Sequence, residues 1–187
     1  MSANPEPDFV ALAERLRAST VRVFDERHGA GSGVIWTSGG LVITNAHVVR
    51  GRYPSVVFED GRRVRARLLE RDPEHDLAAL GLERSGLRSV VRAEVRDAAT
   101  LRPGELVVAV GNPFGLEGAL STGVVARRTK RWVIAHVRLA PGNSGGPLAD
   151  AAGRVVGINS MVANGLALAV PSGAVADFLA RVHAPAA

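Results

Sequence analysis

The sequence predicts an all-β protein made of two β units, with a short helix at each end of the chain. Segments rich in β-branched and aliphatic residues recur in two runs, and turn residues separate them. The 21 glycines and 10 prolines are spread along the 187 residues, which favours many short strands over long helices. A polar, arginine-rich stretch, residues 83–100, separates the two runs, and we expect it to cross between the units.

The first unit is expected in residues 1–100. Asp8 can cap a helix whose apolar stripe contains Phe9, Leu12 and Leu16. Residues 29–33 (GAGSG) are predicted to form a flexible turn, because glycine dominates them. The predicted strands of this unit are 20–24, 34–36, 41–43, 55–58, 64–69 and 77–82.

The second unit is expected in residues 101–187. Ser172 can cap a final helix that buries Val175, Phe178, Leu179 and Val182. The predicted strands of this unit are 106–110, 122–126, 132–139, 155–158 and 166–170.

The composition excludes several classes of chemistry. No cysteine is present, which rules out disulfides, cysteine–zinc sites and thiol catalysis. The formal charge is +5, but the arginines scatter along the chain, so we assign them to solvated faces and consider a nucleic-acid partner unlikely. The first residues lack an apolar signal core, and no apolar run is long enough to span a membrane. As written, the chain is expected to be cytoplasmic.

A hexapeptide, residues 142–147 (GNSGGP), carries the clearest chemical signal. Glycine tolerates backbone dihedrals that other residues avoid, so a tight turn here can expose the hydroxyl of Ser144. Successive N–H groups of Gly142, Asn143 and Ser144 could then point at one spot and bind a developing oxyanion. By itself the segment is equally consistent with a plain glycine turn between strands.

Two further residues complete a possible catalytic set. His47 follows a predicted strand, and an imidazole is the natural base for a serine hydroxyl near neutral pH. Asp76 lies where a charged loop meets an apolar strand, so it can orient a histidine. His75 is a rival base, and an isolated histidine usually only packs. The remaining histidines have no metal-ligand spacing, so we expect neither a metal nor another cofactor.

These segments resemble those of the trypsin-like HtrA/Deg serine proteases. Similar motifs include residues 31–35 (GSGVI), 41–49 (LVITNAHVV) and 110–116 (VGNPFGL), and further ones are 122–125, 156–159 and 168–172. The resemblance covers roughly residues 9–180. It implies two six-stranded antiparallel β-barrels of the chymotrypsin/trypsin type, with the active site in the cleft between them.

The resemblance also implies roles for individual residues. Ser144 would be the nucleophile, His47 the general acid/base and Asp76 its orienting acid, in a serine endopeptidase of protein quality control. Substrates of the family are extended polypeptides, and Ile158, Asn159 and Ser160 would form the edge that pairs with them. The alternative is a latent or inactive peptide-binding, holdase-like module on the same fold.

The sequence also departs from the family in several places. Relatives commonly carry a C-terminal PDZ domain, and the chain stops soon after its last predicted helix, so we expect a protease domain without one. Relatives are often periplasmic, and many are homo-oligomers. Arg138 falls near the base of the primary specificity pocket, where relatives often have a small residue. It could select acidic side chains, block entry to the pocket or face solvent, whereas Leu139 is expected to line the pocket and favour aliphatic residues.

Overall fold

Two closed six-stranded antiparallel barrels form the protein. The computed structural model describes residues 5–182 except 26–28, 84–86, 88 and 89. Strand order is β1-β2-β3-β6-β5-β4 in the first barrel and β10-β11-β12-β9-β8-β7 in the second. The strands of the first barrel are β1 (Thr20–Asp25), β2 (Gly29–Ile35), β3 (Leu41–Thr44), β4 (Ser55–Val57), β5 (Arg63–Asp72) and β6 (Leu77–Leu82). The strands of the second are β7 (Leu106–Gly111), β8 (Ala119–Arg128), β9 (Val133–His136), β10 (Pro147–Asp150), β11 (Val155–Ala163) and β12 (Leu166–Pro171). The predicted all-β class is confirmed.

The helices differ in detail from the prediction. Helix α1 (Pro5–Ala18) begins before Asp8, so Asp8 lies inside the helix and is not its cap. Proline is tolerated in the first turn because the N–H groups there have no helical acceptor. Helix α2 (Ser172–Val182) begins at the residue predicted to cap it, and the hydroxyl of Ser172 binds the segment that connects the barrels. That hydroxyl donates to the carbonyl of Arg96 at 2.8 Å and accepts from the N–H of Ala98 at 2.9 Å.

Two strands were misjudged from the sequence. Residues 29–33 belong to β2, not to a turn. A Cβ atom on Gly31 would lie 2.8 Å from a methyl group of Val48 and 3.0 Å from the carbonyl oxygen of Ser144, so glycine lets β2 pass close to both. Strand β10 was not predicted, because it is short and follows the glycine turn directly. Its proline is its first residue, the position at which a strand tolerates proline.

The apolar core continues from the barrels to the terminal helices. Leu12 and Leu16 of α1 pack against Val108, Val110 and Ala149 of the second barrel, although α1 leads directly into the first barrel. Helix α2 packs between the barrels, with a cluster that draws on both. That cluster contains Val34, Ile43, Leu77 and Ala79 of the first barrel, Val155, Ile158 and Val170 of the second, and Val175 and Phe178 of α2.

The described part of the arginine-rich stretch, residues 90–100, connects the two barrels as expected. The N–H of Ala93 donates to the carbonyl of Ile35 at 2.8 Å, and Val95 forms a bridge with Val155. The guanidinium of Arg96 then binds Glu105 at 2.7 Å and Asp150 at 3.3 Å. Hydrogen bonds from Arg96 and Arg102 lower the pKa of Glu105 to about 2. Burial opposes ionisation of Asp150, but hydrogen bonds from Arg154 and Arg96 outweigh it and lower its pKa.

Loss of Arg96 should therefore change the acid stability of the protein. Because Glu105 and Asp150 have lowered pKa values in the fold, their contribution to stability is complete above the pKa of an unfolded carboxyl, about 4. It is lost as the pH falls toward the folded pKa of Glu105, about 2. We expect Arg96→Gln to lower the free energy of unfolding at pH 7. As the pH falls from about 4 to about 2, the free energy of unfolding should decline less steeply in Arg96→Gln than in the wild type.

Urea unfolding at a series of pH values measures this effect. Arg127→Gln is the control, because it removes the same charge from an exposed side chain on β8. If the free energy of unfolding falls with pH equally steeply in Arg96→Gln and in the wild type, Arg96 is not what lowers the pKa values of Glu105 and Asp150.

Candidate active site

Strand pairing in the first barrel brings His47 and Asp76 together. His47 follows the end of β3, and Asp76 immediately precedes β6. These strands are antiparallel neighbours with Thr44 opposite Ala78, so the end of one lies beside the start of the other. The side-chain amide of Asn45 donates to the carbonyl of Asp76 at 2.9 Å. Asp76 itself has φ of +55°, a left-handed conformation that is uncommon outside glycine.

The carboxylate of Asp76 holds the imidazole of His47. The Nδ1 atom of His47 lies 2.9 Å from each carboxylate oxygen, and the backbone N–H of His47 donates to Oδ1 at 3.1 Å. The side chain of Asp76 is 14% exposed and that of His47 is 46% exposed. A carboxylate at Nδ1 favours the tautomer that carries its proton there, which leaves Nε2 free to act as a base.

Ser160 supplies a third donor to Asp76. Its hydroxyl donates to Oδ2 at 2.5 Å. Burial by itself raises the pKa of Asp76, but the hydrogen bonds from His47 and Ser160 and the attraction of His47 outweigh it. The pKa therefore lies below its usual range, and Asp76 is ionised at neutral pH. Sequence reasoning placed Ser160 at the substrate edge and missed this contact, since nothing in the sequence relates it to residue 76.

Ser144 is connected to the Asp76–His47 pair through Ser160. The hydroxyl of Ser144 donates to the backbone carbonyl of Ser160 at 3.0 Å. A serine hydroxyl has one proton, so in this structure it is not donated to His47. Ser160 thus contacts Ser144 through its carbonyl and Asp76 through its hydroxyl.

The turn at Ser144 offers two of the three predicted oxyanion donors. In the part of the chain that the structure describes, the N–H groups of Gly142 and Ser144 have no hydrogen-bond acceptor. The N–H of Asn143 donates to the carbonyl of Ala140 at 3.0 Å, so in this structure it is not available to an oxyanion as predicted. Gly142 and Gly145 have φ of +106° and +87°, which requires glycine at both positions.

An apolar cavity of about 490 Å³ opens beside Ser144. Leu139, Pro141 and Val162 are among the residues that line it, in agreement with the prediction for Leu139. Arg138 is exposed and lines an adjoining depression that shares Leu139 and Val162 with the cavity, but Arg138 is not among the residues that line the cavity itself. The cavity next to the hydroxyl is therefore suited to an uncharged side chain.

The predicted substrate-binding edge is displaced along β11. Ile158 pairs with Pro147 on one side and Val170 on the other, and Asn159 is fully buried, so neither offers a free edge. On the β10 side, β11 is paired up to Ile158 by Pro147, the first residue of β10, and up to Asn159 by Gly145 and Gly146. Strand β10 was not predicted. Ser160, Met161 and Val162 follow and line the cavity, and the side chains of Met161 and Val162 are exposed.

His75, the alternative candidate for the base, faces Asp72. The Nδ1 atom of His75 lies 2.8 Å from Asp72, and Arg181 also binds Asp72. Among the residues that line a small depression with His75 are Lys130 and Trp132, and the depression does not include Ser144. His28 and His183 lie outside the described residues. Within the described residues, neither helix has the length and apolar character that crossing a membrane requires.

Comparison with known proteins gives three findings. The family model of the trypsin-like peptidase domain matches residues 31–158. Serine protease HTRA4 from Homo sapiens is 36% identical over 168 residues, which cover 82% of this chain and 35% of that protein. A probable periplasmic serine endoprotease, DegP-like, from Brucella suis biovar 1 is 36% identical over 184 residues, which cover 90% of this chain and 36% of that protein.

Solved structures show the same similarity. The HtrA-type protease AlgW with tripeptide superposes with a TM-score of 0.86 at 27% identity, and the match covers 93% of this chain and 63% of that one. The chain spans about a third of the length of the curated relatives named above.

Proposed function

Since the chain belongs to the trypsin-like peptidase family, and within it to the HtrA-type serine proteases, we propose that it hydrolyses peptide bonds of unfolded or misfolded proteins. The catalytic residues are Ser144, His47 and Asp76. The observation that carries this proposal is the hydrogen-bonded group around Asp76. Its carboxylate accepts from His47 and from Ser160, and the carbonyl of Ser160 accepts from the hydroxyl of Ser144.

The reaction begins with a rotation of the Ser144 side chain. On substrate binding, its hydroxyl leaves the carbonyl of Ser160 and turns toward Nε2 of His47. As Oγ attacks the scissile carbonyl carbon, its proton passes to Nε2, and the imidazolium is stabilised by Asp76. The N–H groups of Gly142 and Ser144 bind the oxyanion of the tetrahedral intermediate.

The intermediate then collapses to an acyl-enzyme. His47 gives its proton to the nitrogen of the leaving peptide, the carbon–nitrogen bond breaks, and Ser144 keeps the acyl group as an ester. Water enters, His47 takes one of its protons, and the resulting attack on the ester releases the acid product. Ser144 recovers its proton from His47, so the cycle needs no cofactor.

Substrates bind as an extended strand along residues 160–162 of β11. Among the described residues, no strand pairs with this edge beyond Pro147, the first residue of β10, and the edge passes beside Ser144. An added strand gains main-chain hydrogen bonds, and alternate side chains enter pockets. The apolar cavity lined by Leu139 and Val162 accepts the side chain before the scissile bond, and we propose that this side chain is aliphatic.

Labelling with a fluorophosphonate probe tests the proposed activity. The probe reacts with an activated serine hydroxyl, so we expect the wild-type protein to be labelled and Ser144→Ala to remain unlabelled. Circular dichroism and thermal unfolding check that both are folded. A folded wild-type protein that resists the probe but suppresses aggregation of an unfolded protein would overturn the proposal in favour of a holdase-like module.

A further inference from the structure

Ser32 of β2 is fully buried and makes two hydrogen bonds to the turn that holds Ser144. Its backbone N–H donates to the carbonyl of Ser144 at 2.8 Å. Its hydroxyl donates to the carbonyl of Gly142 at 2.7 Å. These carbonyls belong to the two residues whose N–H groups have no acceptor among the described residues. One residue of the first barrel therefore binds the carbonyls of both residues that we propose as oxyanion donors.

The direction of the Ser32 hydroxyl is fixed by Asn112. The backbone N–H and the side-chain amide of Asn112 each lie 3.0 Å from the Oγ atom of Ser32, and both donate to it. A hydroxyl has two lone pairs and one proton, so these donors occupy the lone pairs and the proton is directed to Gly142. The side-chain oxygen of Asn112 accepts from the N–H of Gly118 at 3.0 Å, which orients its amide.

These contacts hold alternate peptide groups of the turn at both ends. The carbonyl of the peptide that joins Gly142 to Asn143 accepts from Ser32 at 2.7 Å and, over a longer distance of 3.4 Å, from the backbone N–H of Asn112. The N–H of this peptide donates to the carbonyl of Ala140 at 3.0 Å. The peptide that joins Ser144 to Gly145 is held by Ser32 at its carbonyl and by Asn159 at its N–H, at 2.8 Å. The planar peptide transmits each constraint to the groups beside it. The N–H groups of Gly142 and Ser144 belong to the neighbouring peptides, whose carbonyls accept from Phe114 at 3.1 Å and from Gly146 at 3.0 Å.

From this geometry we infer that Ser32 is a positioning residue that keeps the oxyanion turn in its working conformation, an inference that rests on the proposed proteolytic function. Glycine at 142 and 145 leaves the turn many other conformations, because glycine occupies both halves of dihedral space. In some of these the N–H of Gly142 points away from the substrate. The bond from Ser32 to Gly142 selects against them.

Ser32→Ala tests the inference, with Ser172→Ala as a matched control. Ser172 is also a buried serine whose hydroxyl donates to one carbonyl and accepts from one N–H, but it lies between α2 and residues 96–98. Both variants lose the hydrogen bonds of a buried hydroxyl, so a general loss of stability affects both. Only Ser32→Ala removes a contact to the turn.

Two readouts separate positioning from stability. The first is kcat and KM on a peptide substrate. The second is the affinity for a peptide boronate, whose tetrahedral adduct places an oxygen in the oxyanion site. It is compared with the affinity for the unreactive product peptide. We expect Ser32→Ala to lower kcat by about 10- to 100-fold, less than the 100- to 1000-fold typical of deleting a donor. Boronate affinity should fall in parallel, while the KM and product-peptide affinity of Ser32→Ala stay at the wild-type level. For Ser172→Ala we expect wild-type values of kcat, KM and both affinities.

An unchanged kcat in Ser32→Ala, or an equal loss in both variants, would overturn the inference. If the wild type itself is not labelled by a fluorophosphonate, the proposed function fails instead. Should Ser32→Ala not fold, Asn112→Asp provides the test, because a carboxylate there withdraws the donor and attracts the Ser32 proton away from Gly142. The same fall in kcat and boronate affinity is expected, and a wild-type kcat would contradict the inference.

Discussion

Replacement of His47 by alanine is expected to lower kcat on an unfolded polypeptide by about 10⁶-fold, the loss typical of removing the base of a serine triad. Without an imidazole, the hydroxyl of Ser144 keeps its proton and is a poor nucleophile at neutral pH. The double variant His47→Ala/Ser144→Ala should lose no more activity than either single variant, because the two residues act as one unit. Initial rates of cleavage of a dye-labelled, denatured protein measure both effects.

His75→Ala is the matched control for this experiment. His75 also faces a carboxylate, with its Nδ1 atom 2.8 Å from Asp72, and it lies in the segment that carries Asp76. We expect its removal to leave kcat at the wild-type level. If His75→Ala lost as much kcat as His47→Ala, the assignment of His47 as the base would be contradicted.

The second large effect is expected for Asp76→Asn, with a fall in kcat of about 10⁴-fold. Asp76 accepts from the ring and backbone nitrogens of His47 and from the hydroxyl of Ser160, and only a carboxylate accepts on both oxygens. An amide places NH₂ where an acceptor is needed. Facing Nδ1, it forces the tautomer that protonates Nε2, which cannot then take the proton of Ser144.

The matched control is Asp72→Asn, which makes the same change in the partner of His75. Thermal unfolding accompanies the rate measurement, since Asp76 is largely buried and its neutralisation also affects stability. A kcat for Asp76→Asn no lower than that for Asp72→Asn would refute the role proposed for Asp76.

The sequence predicted much of this architecture because local patterns determine it. Most predicted strands, such as 41–43 and 77–82, contain aliphatic residues that fill a barrel interior. The GNSGGP turn and the positions of His47 and Asp76 beside strand ends could be read directly. By contrast, the glycines of β2 made it look like a loop. Glycine is needed there because Val48 and Ser144 lie close to Gly31, and a local sequence pattern does not reveal such a contact.

The errors in the site have different causes. Whether Ile158 and Asn159 are free to bind a substrate depends on β10, a short strand of the same barrel that lies just before β11 in the chain and was not predicted. The contact of Ser160 with Asp76, by contrast, joins the two barrels. That contact depends on how the barrels are placed against each other, and residue periodicity carries no information about that placement. The loss of Asn143 as a donor depends on one backbone hydrogen bond to Ala140.

The terminal helices bear on whether the two barrels can exist apart. Helix α1 is continuous with the first barrel but buries Leu12 and Leu16 against the second, and α2 buries Phe178 among residues of both. A chain cut between the barrels would give two fragments, each exposing an apolar surface that its counterpart normally covers. Such fragments should be poorly folded alone and should recover structure when mixed, so the molecule melts as one cooperative unit.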